Sequence, residues 1–209
     1  MTSKPVSVLI GLSAILFLSC PSSEVRQEIT NKGDDGFVTI FTRFLPSRNG
    51  WVVGAMEDAR AGIGFSGADT LLSRVLYRFD ISSWSHGPLT LHLLSTAAMG
   101  TPGALQVFCV SDFPRLPDSM TGNPADVSGY WLLADSGSLV GAPTPVPNQW
   151  FTVTVPESVV ATWKSSSGYL AFMLRLADEN QLAENWFRMV TFDYAVSHGT
   201  DKPYVTYRQ

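Results

Sequence analysis

L-L-S-R-V-L-Y-R-F-D-I, residues 71 to 81, is the stretch whose reading decides the fold. Leu71, Val75, Tyr77, Phe79 and Ile81 alternate with polar neighbours. In an extended chain they share one face, while Thr70, Arg74, Arg78 and Asp80 share the other. Arg78 and Asp80 then stand about 7 Å apart along the strand, within side-chain reach. They are read as a structural ion pair on a polar face beside a loop, in preference to a catalytic or ligand-binding pair.

The same period of two recurs in Leu89 to Leu94, Leu105 to Val110, Trp150 to Val155, Tyr169 to Leu176 and Tyr204 to Tyr207. Each run is closed by Gly, Pro, Asn, Asp or Ser, the residues of turns. One segment departs from it, V-P-E-S-V-V-A-T-W-K-S-S-S-G at 155 to 168. Pro156 suits a first helical turn, Val159 and Trp163 stand four apart, and the Ser/Gly cluster stops the run. Many short strands with one short helix predict an all-β protein, an antiparallel β-sandwich of jelly-roll-like kind with Trp163 in its core.

Outward from these strands, the chain divides into three parts. Residues 1 to 20 carry Lys4 and then an apolar run from Val6 to Leu18, too short to span a bilayer and shaped like a secretory signal peptide. It stops at Ser19-Cys20, where a bacterial lipoprotein signal places its lipid-carrying cysteine. Cys20 is therefore the expected lipid attachment point, tying the chain to a membrane surface of the cell envelope. Cleavage after Ser22 to release a secreted soluble chain is the alternative. Residues 21 to 36 are polar and read as a flexible tether. Residues 37 to 209 are the size of one domain with a full core.

Composition narrows the partners. The 209 residues carry a net charge of −4 with 14 Lys plus Arg, which excludes the basic footprint of a nucleic-acid binder. Cys20 and Cys109 lack the spacing of a zinc site. Cys109, in L-Q-V-F-C-V, reads as a small buried hydrophobe, with a Cys20 to Cys109 disulfide as the other option.

Taken in order, R-F-D-I-S-S (78 to 83), T-V-P-E-S-V-V-A-T-W-K-S-S-S-G-Y-L-A-F-M-L-R (154 to 175) and K-P-Y-V-T-Y (202 to 207) resemble the DNRLRE domain. That family comprises secreted bacterial β-sandwiches related to carbohydrate-binding modules. W-V-V-G at 51 to 54 is similar to the strand that precedes R-F-D in its members. Two departures stand out: M-T-G-N-P at 120 to 124 has Gly122 in the position of a tryptophan, and V-T-F-D-Y-A at 190 to 195 replaces a late strand that carries Arg and Glu. A glycan surface built on those residues is altered in this chain.

No catalytic signature is present. His86, His92 and His198 are scattered, and no G-x-S-x-G elbow, Gly-rich phosphate loop or H-E-x-x-H helix occurs. No cofactor is expected beyond a structural calcium, for which Asp34-Asp35 and Asp178-Glu179-Asn180 are the candidate oxygen ligands. Aromatic side chains remain, because flat rings stack on the apolar faces of sugars. Tyr130 and Trp131, in a proline-rich loop between Asp112 and Trp150, and Trp186, between Asn185 and Phe187, are the candidate carbohydrate-binding residues. The expectation is a non-catalytic exported surface module that binds polysaccharide or acts in cell-surface adhesion. A structural envelope lipoprotein without a glycan ligand and a small polysaccharide-cleaving enzyme with two facing carboxylates are the rivals.

Overall fold

In the computed structural model, which describes residues 23–43, 50–67, 69–118 and 124–209, the opening stretch lies within the longest strand, β5 (Asp69–Asp80). Around it are β1 (Glu24–Glu28), β2 (Asp35–Arg43), β3 (Gly50–Gly54), β4 (Ala59–Ser66), β6 (Leu89–Met99) and β7 (Leu105–Val110). The chain continues with β8 (Ser138–Gly141), β9 (Gln149–Val155), β10 (Tyr169–Leu176), β11 (Asn185–Met189) and β12 (Tyr204–Arg208). The pairing order β1-β12-β6-β11-β4-β5-β10-β7-β8 runs through one curled sheet, with β9 on the other edge of β6, β2 on β5 and β3 on β2. Every strand pair is antiparallel among the described residues.

Curling brings two halves of the sheet face to face as a sandwich. Val75, Tyr77, Phe79 and Ile81 meet Leu170, Phe172 and Leu174 from one half and Leu89, Leu91 and Leu93 from the other, all fully buried. The inward set of β5 is the one its alternation predicts. Cys109 is buried in the same core as a free thiol, and Trp163 packs against the core with its Nε1 donating to Ser138 Oγ at 2.9 Å.

The other face of β5 corrects the expectation of a wet surface. Leu76 on β5, Ala171 and Met173 on β10, Phe108 and Val110 on β7 and Val38 on β2 form a second core. A fully buried leucine or methionine gains about 1.5–3 kcal/mol over exposure, so a face carrying this set has to be covered. The cover is α1 (Pro124–Trp131), α2 (Leu133–Ser136) and the segment holding Phe113 and Leu116. The stretch after Asp112 thus keeps irregular segments around Pro114, Pro117, Pro143 and Pro145, but between them it carries α1 and α2 of the lid and the sheet strand β8. α3 (Glu157–Trp163) is the expected short helix, and α4 (Phe192–His198) is an additional one.

The expected ion pair is also different. Arg78 bonds Asp112 (Nε to Oδ1, 2.6 Å) and Asp34 (Nη1 to Oδ1, 3.1 Å), and its guanidinium lies 3.6 Å above the Tyr169 ring. Asp80 instead accepts the Ser82 amide at 2.9 Å, closing the turn after β5. Four residues upstream, the buried Arg74 grips Glu179 through two bonds of 3.0 and 2.7 Å, donates to the Trp131 carbonyl and stacks on the Trp131 ring. The two arginines fasten the lid and the β10–β11 connection to the sheet, which is why charged residues occupy a covered face.

Residues 24 to 36 are likewise part of the body and not a tether. β1 pairs with β12 in register from Glu24↔Arg208 to Glu28↔Tyr204, Ile29 is buried, and Asp34 and Asp35 are almost wholly inaccessible. The expected signal segment and Cys20 lie outside the described residues.

Candidate functional site

With one half of the sandwich lidded, the outer face of β1, β12, β6 and β9 is the open one. Leu89, Leu91 and Leu93 point inward from β6, so Thr90, His92 and Leu94 point out. Register extends that face across four strands. Thr90 lies opposite Thr154 on β9 and Thr206 on β12, and His92 lies opposite Thr152 and Tyr204. Trp150 sits opposite Leu94, and Arg26 on β1 opposite Thr206.

Aromatic rings from three of these strands meet there. The His92 and Tyr204 rings stack with centroids 4.2 Å apart and planes within 10°, and the Arg26 guanidinium covers the Tyr204 ring at 3.8 Å. Trp150, with its ring 5.4 Å from Tyr204 and tilted by 54°, is 38 % exposed. Tyr204 is therefore held between a cation and an imidazole, which fixes its orientation. Trp150 is the ring left open to a ligand.

His92 accepts or donates at Nε2 to Thr206 Oγ1 at 3.0 Å. Burial first, and then the charge of Arg26, lower its pKa below the ordinary value, against a smaller upward pull from Glu24. The imidazole is accordingly neutral at pH 7 and contributes a ring and a hydrogen-bonding edge but no charge. At the end of this face, Glu24, His86, Pro88, Thr90, Thr206, Tyr207 and Arg208 line a groove of about 560 Å³ in which apolar surface is edged by charged and hydroxyl side chains. The arrangement supplies a stacking ring, a row of hydroxyls and a recess edged by polar side chains, which is the chemistry that carbohydrate recognition needs.

The candidate residues named from sequence fall elsewhere. Trp131, at the end of α1, is 9 % exposed with its face covered by Arg74. Trp186, on β11, is 6 % exposed, with Arg60 4.5 Å over its ring and Nε1 donating to Glu184 at 2.9 Å. Both are packed into the body, which removes them as free stacking surfaces. Tyr130 is half-buried against Phe113 in a cleft of about 530 Å³ whose walls, including Val53, Pro114, Pro117 and Leu133, are mainly apolar. The three candidates do not come together on one surface. Trp150, Tyr204 and His92, which do, were legible only as members of strands.

The calcium candidates are already engaged. Asp34 is held by Arg78, Arg115 and Asn31, and Asp35 accepts the Phe192 amide at 2.6 Å. Glu179 pairs with Arg74, and Asp178 accepts the Asn180 amide. Among the described residues no group of three or more His, Cys, Asp or Glu is placed to hold a metal ion.

No family model matches the chain. No curated protein matches it either. A solved structure concerned with the promiscuous specificity of carbohydrate-binding modules from the β-sandwich superfamily is similar to it at 10 % identity and a TM-score of 0.23. The match covers 90 % of this chain and 55 % of that one, so the chain spans about half the length of the structure it resembles.

Proposed function

We propose that this protein is a non-catalytic polysaccharide-binding module that presents the outer face of β1, β12, β6 and β9 to its ligand. The observation that carries the reading is the exposed Trp150 ring set beside the Arg26–Tyr204–His92 stack, on a sheet face that no helix covers among the described residues. A ring fixed by packing loses little freedom when a sugar stacks on it, so its contact area converts efficiently into affinity. The DNRLRE-like motifs of the sequence support the same reading. So do the apolar leader and Ser19-Cys20, which support export and a lipid anchor at Cys20 in the cell envelope.

The test is a polysaccharide array probed with the wild-type chain, Trp150→Ala and Tyr130→Ala. Truncating a central binding tryptophan costs about 2 kcal/mol or more, roughly a 30-fold loss of affinity. Trp150→Ala is expected to lose binding by that factor while its melting curve stays cooperative, and Tyr130→Ala to bind as wild type. Binding that survives Trp150→Ala but is lost in Tyr130→Ala would move the site to the cleft under the lid. Absence of binding to every polymer would overturn the glycan reading.

A further inference from the structure

The sheet face carries more detail than a single stacking ring, and the detail selects a class of ligand. In register across β9, β6 and β12, Thr154, Thr90 and Thr206 form one row of hydroxyls, and Arg26 continues it onto β1. The next row is Thr152, His92, Tyr204 and Glu28, and Trp150 with Leu94 begins a third. From β9 to β1 the rows cross three inter-strand steps, about 14 Å at the usual strand separation. The groove lined by Glu24, Thr90, Thr206 and Arg208 lies beyond the threonine row along the strands, at the opposite end from Trp150.

Charge on this strip cancels. Glu24 and Glu28 are balanced in number by Arg26 and Arg208, and Arg26 bonds Glu28 at 2.8 Å and covers the Tyr204 ring at 3.8 Å. The middle of the strip holds only hydroxyls, the imidazole and aromatic rings. Between Trp150 and the groove, a polyanionic glycan would meet, among the described residues, one cation, Arg26, which Glu28 already holds, and the Glu28 carboxylate beside it. A polymer whose hydroxyls both donate and accept finds partners along its whole length.

We infer that the strip takes an internal segment of an uncharged polysaccharide, laid diagonally over the strands from Trp150 to the groove between Glu24 and Arg208. The inference rests on the glycan-binding reading of this face. The strip runs out over Trp150, which is exposed, and over the exposed Thr152 and Thr154, so a chain is free to continue past that end. The groove receives a further sugar unit and orients it through Thr90, Thr206 and the two charged side chains. Affinity then grows with chain length until the strip is spanned, and chain ends contribute nothing.

Calorimetric titration of the full chain tests this. The probes are methyl-capped cello-, manno- and xylo-oligosaccharides from disaccharide to hexasaccharide, each beside its uncapped form, with oligogalacturonates of equal length as anionic counterparts. The expected result is, for one neutral series, a several-fold gain per added unit that levels off between the trisaccharide and the pentasaccharide. Capped and uncapped forms bind equally, and oligogalacturonate binds at least tenfold more weakly. Thr90→Val and Thr206→Val are expected to bring the plateau to a shorter length without weakening the disaccharide. Loss of binding on capping, or affinity independent of length, overturns the internal-segment inference and leaves the glycan site standing. Preference for oligogalacturonate overturns the uncharged class. No binding of any oligosaccharide, with none on the polymer array, overturns the underlying reading itself.

Discussion

Replacing Arg78 with methionine tests whether the charged face of β5 is a covered, cross-linked surface. The side chain is 12 % exposed and serves two carboxylates, of which Asp34 is 4 % and Asp112 18 % exposed. Burial by itself would lower the guanidinium's pKa. The hydrogen bond and charge of Asp112, followed by those of Asp34, outweigh it and leave the pKa raised, so the cation is present at every accessible pH. Methionine keeps most of the packing and removes only the charge. Asp34 retains Asn31 at 3.2 Å and the half-exposed Arg115 at 3.2 Å, while Asp112 keeps Ser167 and is close enough to solvent to rehydrate in part. Removing one partner of a buried pair costs about 3–5 kcal/mol, and the partial rescue places this case near the lower end, about 3 kcal/mol. For a chain of this size each kcal/mol moves the melting point by about 2–4 °C, so Arg78→Met is expected to melt roughly 6–12 °C lower. Urea titration gives the free energy directly. Asp112→Asn should cost less than Arg78→Met, and the double variant should lose less than the sum, with a coupling of about 1 kcal/mol or more. A loss under 1 kcal/mol for Arg78→Met, or strict additivity, would refute the reasoning and restore the wet polar face that alternation alone suggests.

Two further outcomes follow from buried titratable groups. Asp35 is fully buried, and that burial, reinforced by Asp193 and Asp34 and only partly offset by the Phe192 amide, holds its pKa well above the usual carboxylate range. A carboxyl raised in the folded state binds its proton more tightly folded than unfolded. Its contribution is complete below the unfolded pKa of about 3.9 and is lost as pH rises through the folded value. Asp35→Asn, which can still accept the Phe192 amide, should therefore flatten the decline of stability above pH 4 in urea titrations, and an unchanged pH profile would contradict the assignment. The Cys109 thiol is pushed up to about 12 by burial, only partly opposed by the Val110 backbone bond. Peptide mapping after iodoacetamide treatment at pH 8 should find it unmodified in the folded protein and alkylated in denaturant, whereas rapid native labelling would show that the core opens easily.

How much of this was legible in the sequence depended on whether one face of a segment dominated. β5, β6, β7, β9, β10 and β12 each repeat apolar residues at every second position, and the folded strands extend the expected runs by a few residues at most. β4 was hidden because A-R-A-G-I-G-F-S has few large side chains. Gly62 adopts a φ of +134°, and a side chain there would collide with the Asn185 carbonyl of β11, so the close approach of two strands excluded the usual signal. α4 carried a signal that went unused. Thr191 accepts the Tyr194 amide as a cap, Asp193 lies in the first turn, His198 in the last, and Gly199 closes the helix at φ +64°. The likeness of residues 190 to 195 to the place of a late strand in the DNRLRE domain masked those local cues. The segment before Asp35 looked like a tether because its one large anchor, Ile29, is surrounded by charge, and nothing local announces that Asp34 will meet Arg78. The site was the least legible part. Trp150 and Phe151 are adjacent aromatics on one strand, and only the register of β12, β6 and β9 decides which of them joins Tyr204 and His92.

The two outer faces of the sandwich separate what stability requires from what it does not. On the lidded side Leu76, Met173, Phe108 and Val110 oblige helices to cover them, and substitutions there act on folding. On the open side the outward residues beside Trp150 are threonines, one imidazole, one tyrosine and Leu94, and the strand β1 alternates Glu24, Arg26 and Glu28, which guards a short strand against pairing with another chain. A face so hydrophilic does not need a tryptophan to fold. Trp150 stands opposite Leu94 and meets the Tyr204 ring across β6, and a cross-strand pair of this kind is worth about 0.2–1 kcal/mol. Yet it exposes a large apolar ring on β9 at one end of this face, where a threonine like those at 152 and 154 would serve the sheet equally well. Trp150→Thr is thus the substitution in which binding and stability part furthest. A loss of glycan affinity with a melting point within a few degrees of wild type places the ring in recognition, and a collapse of the fold would return it to the core.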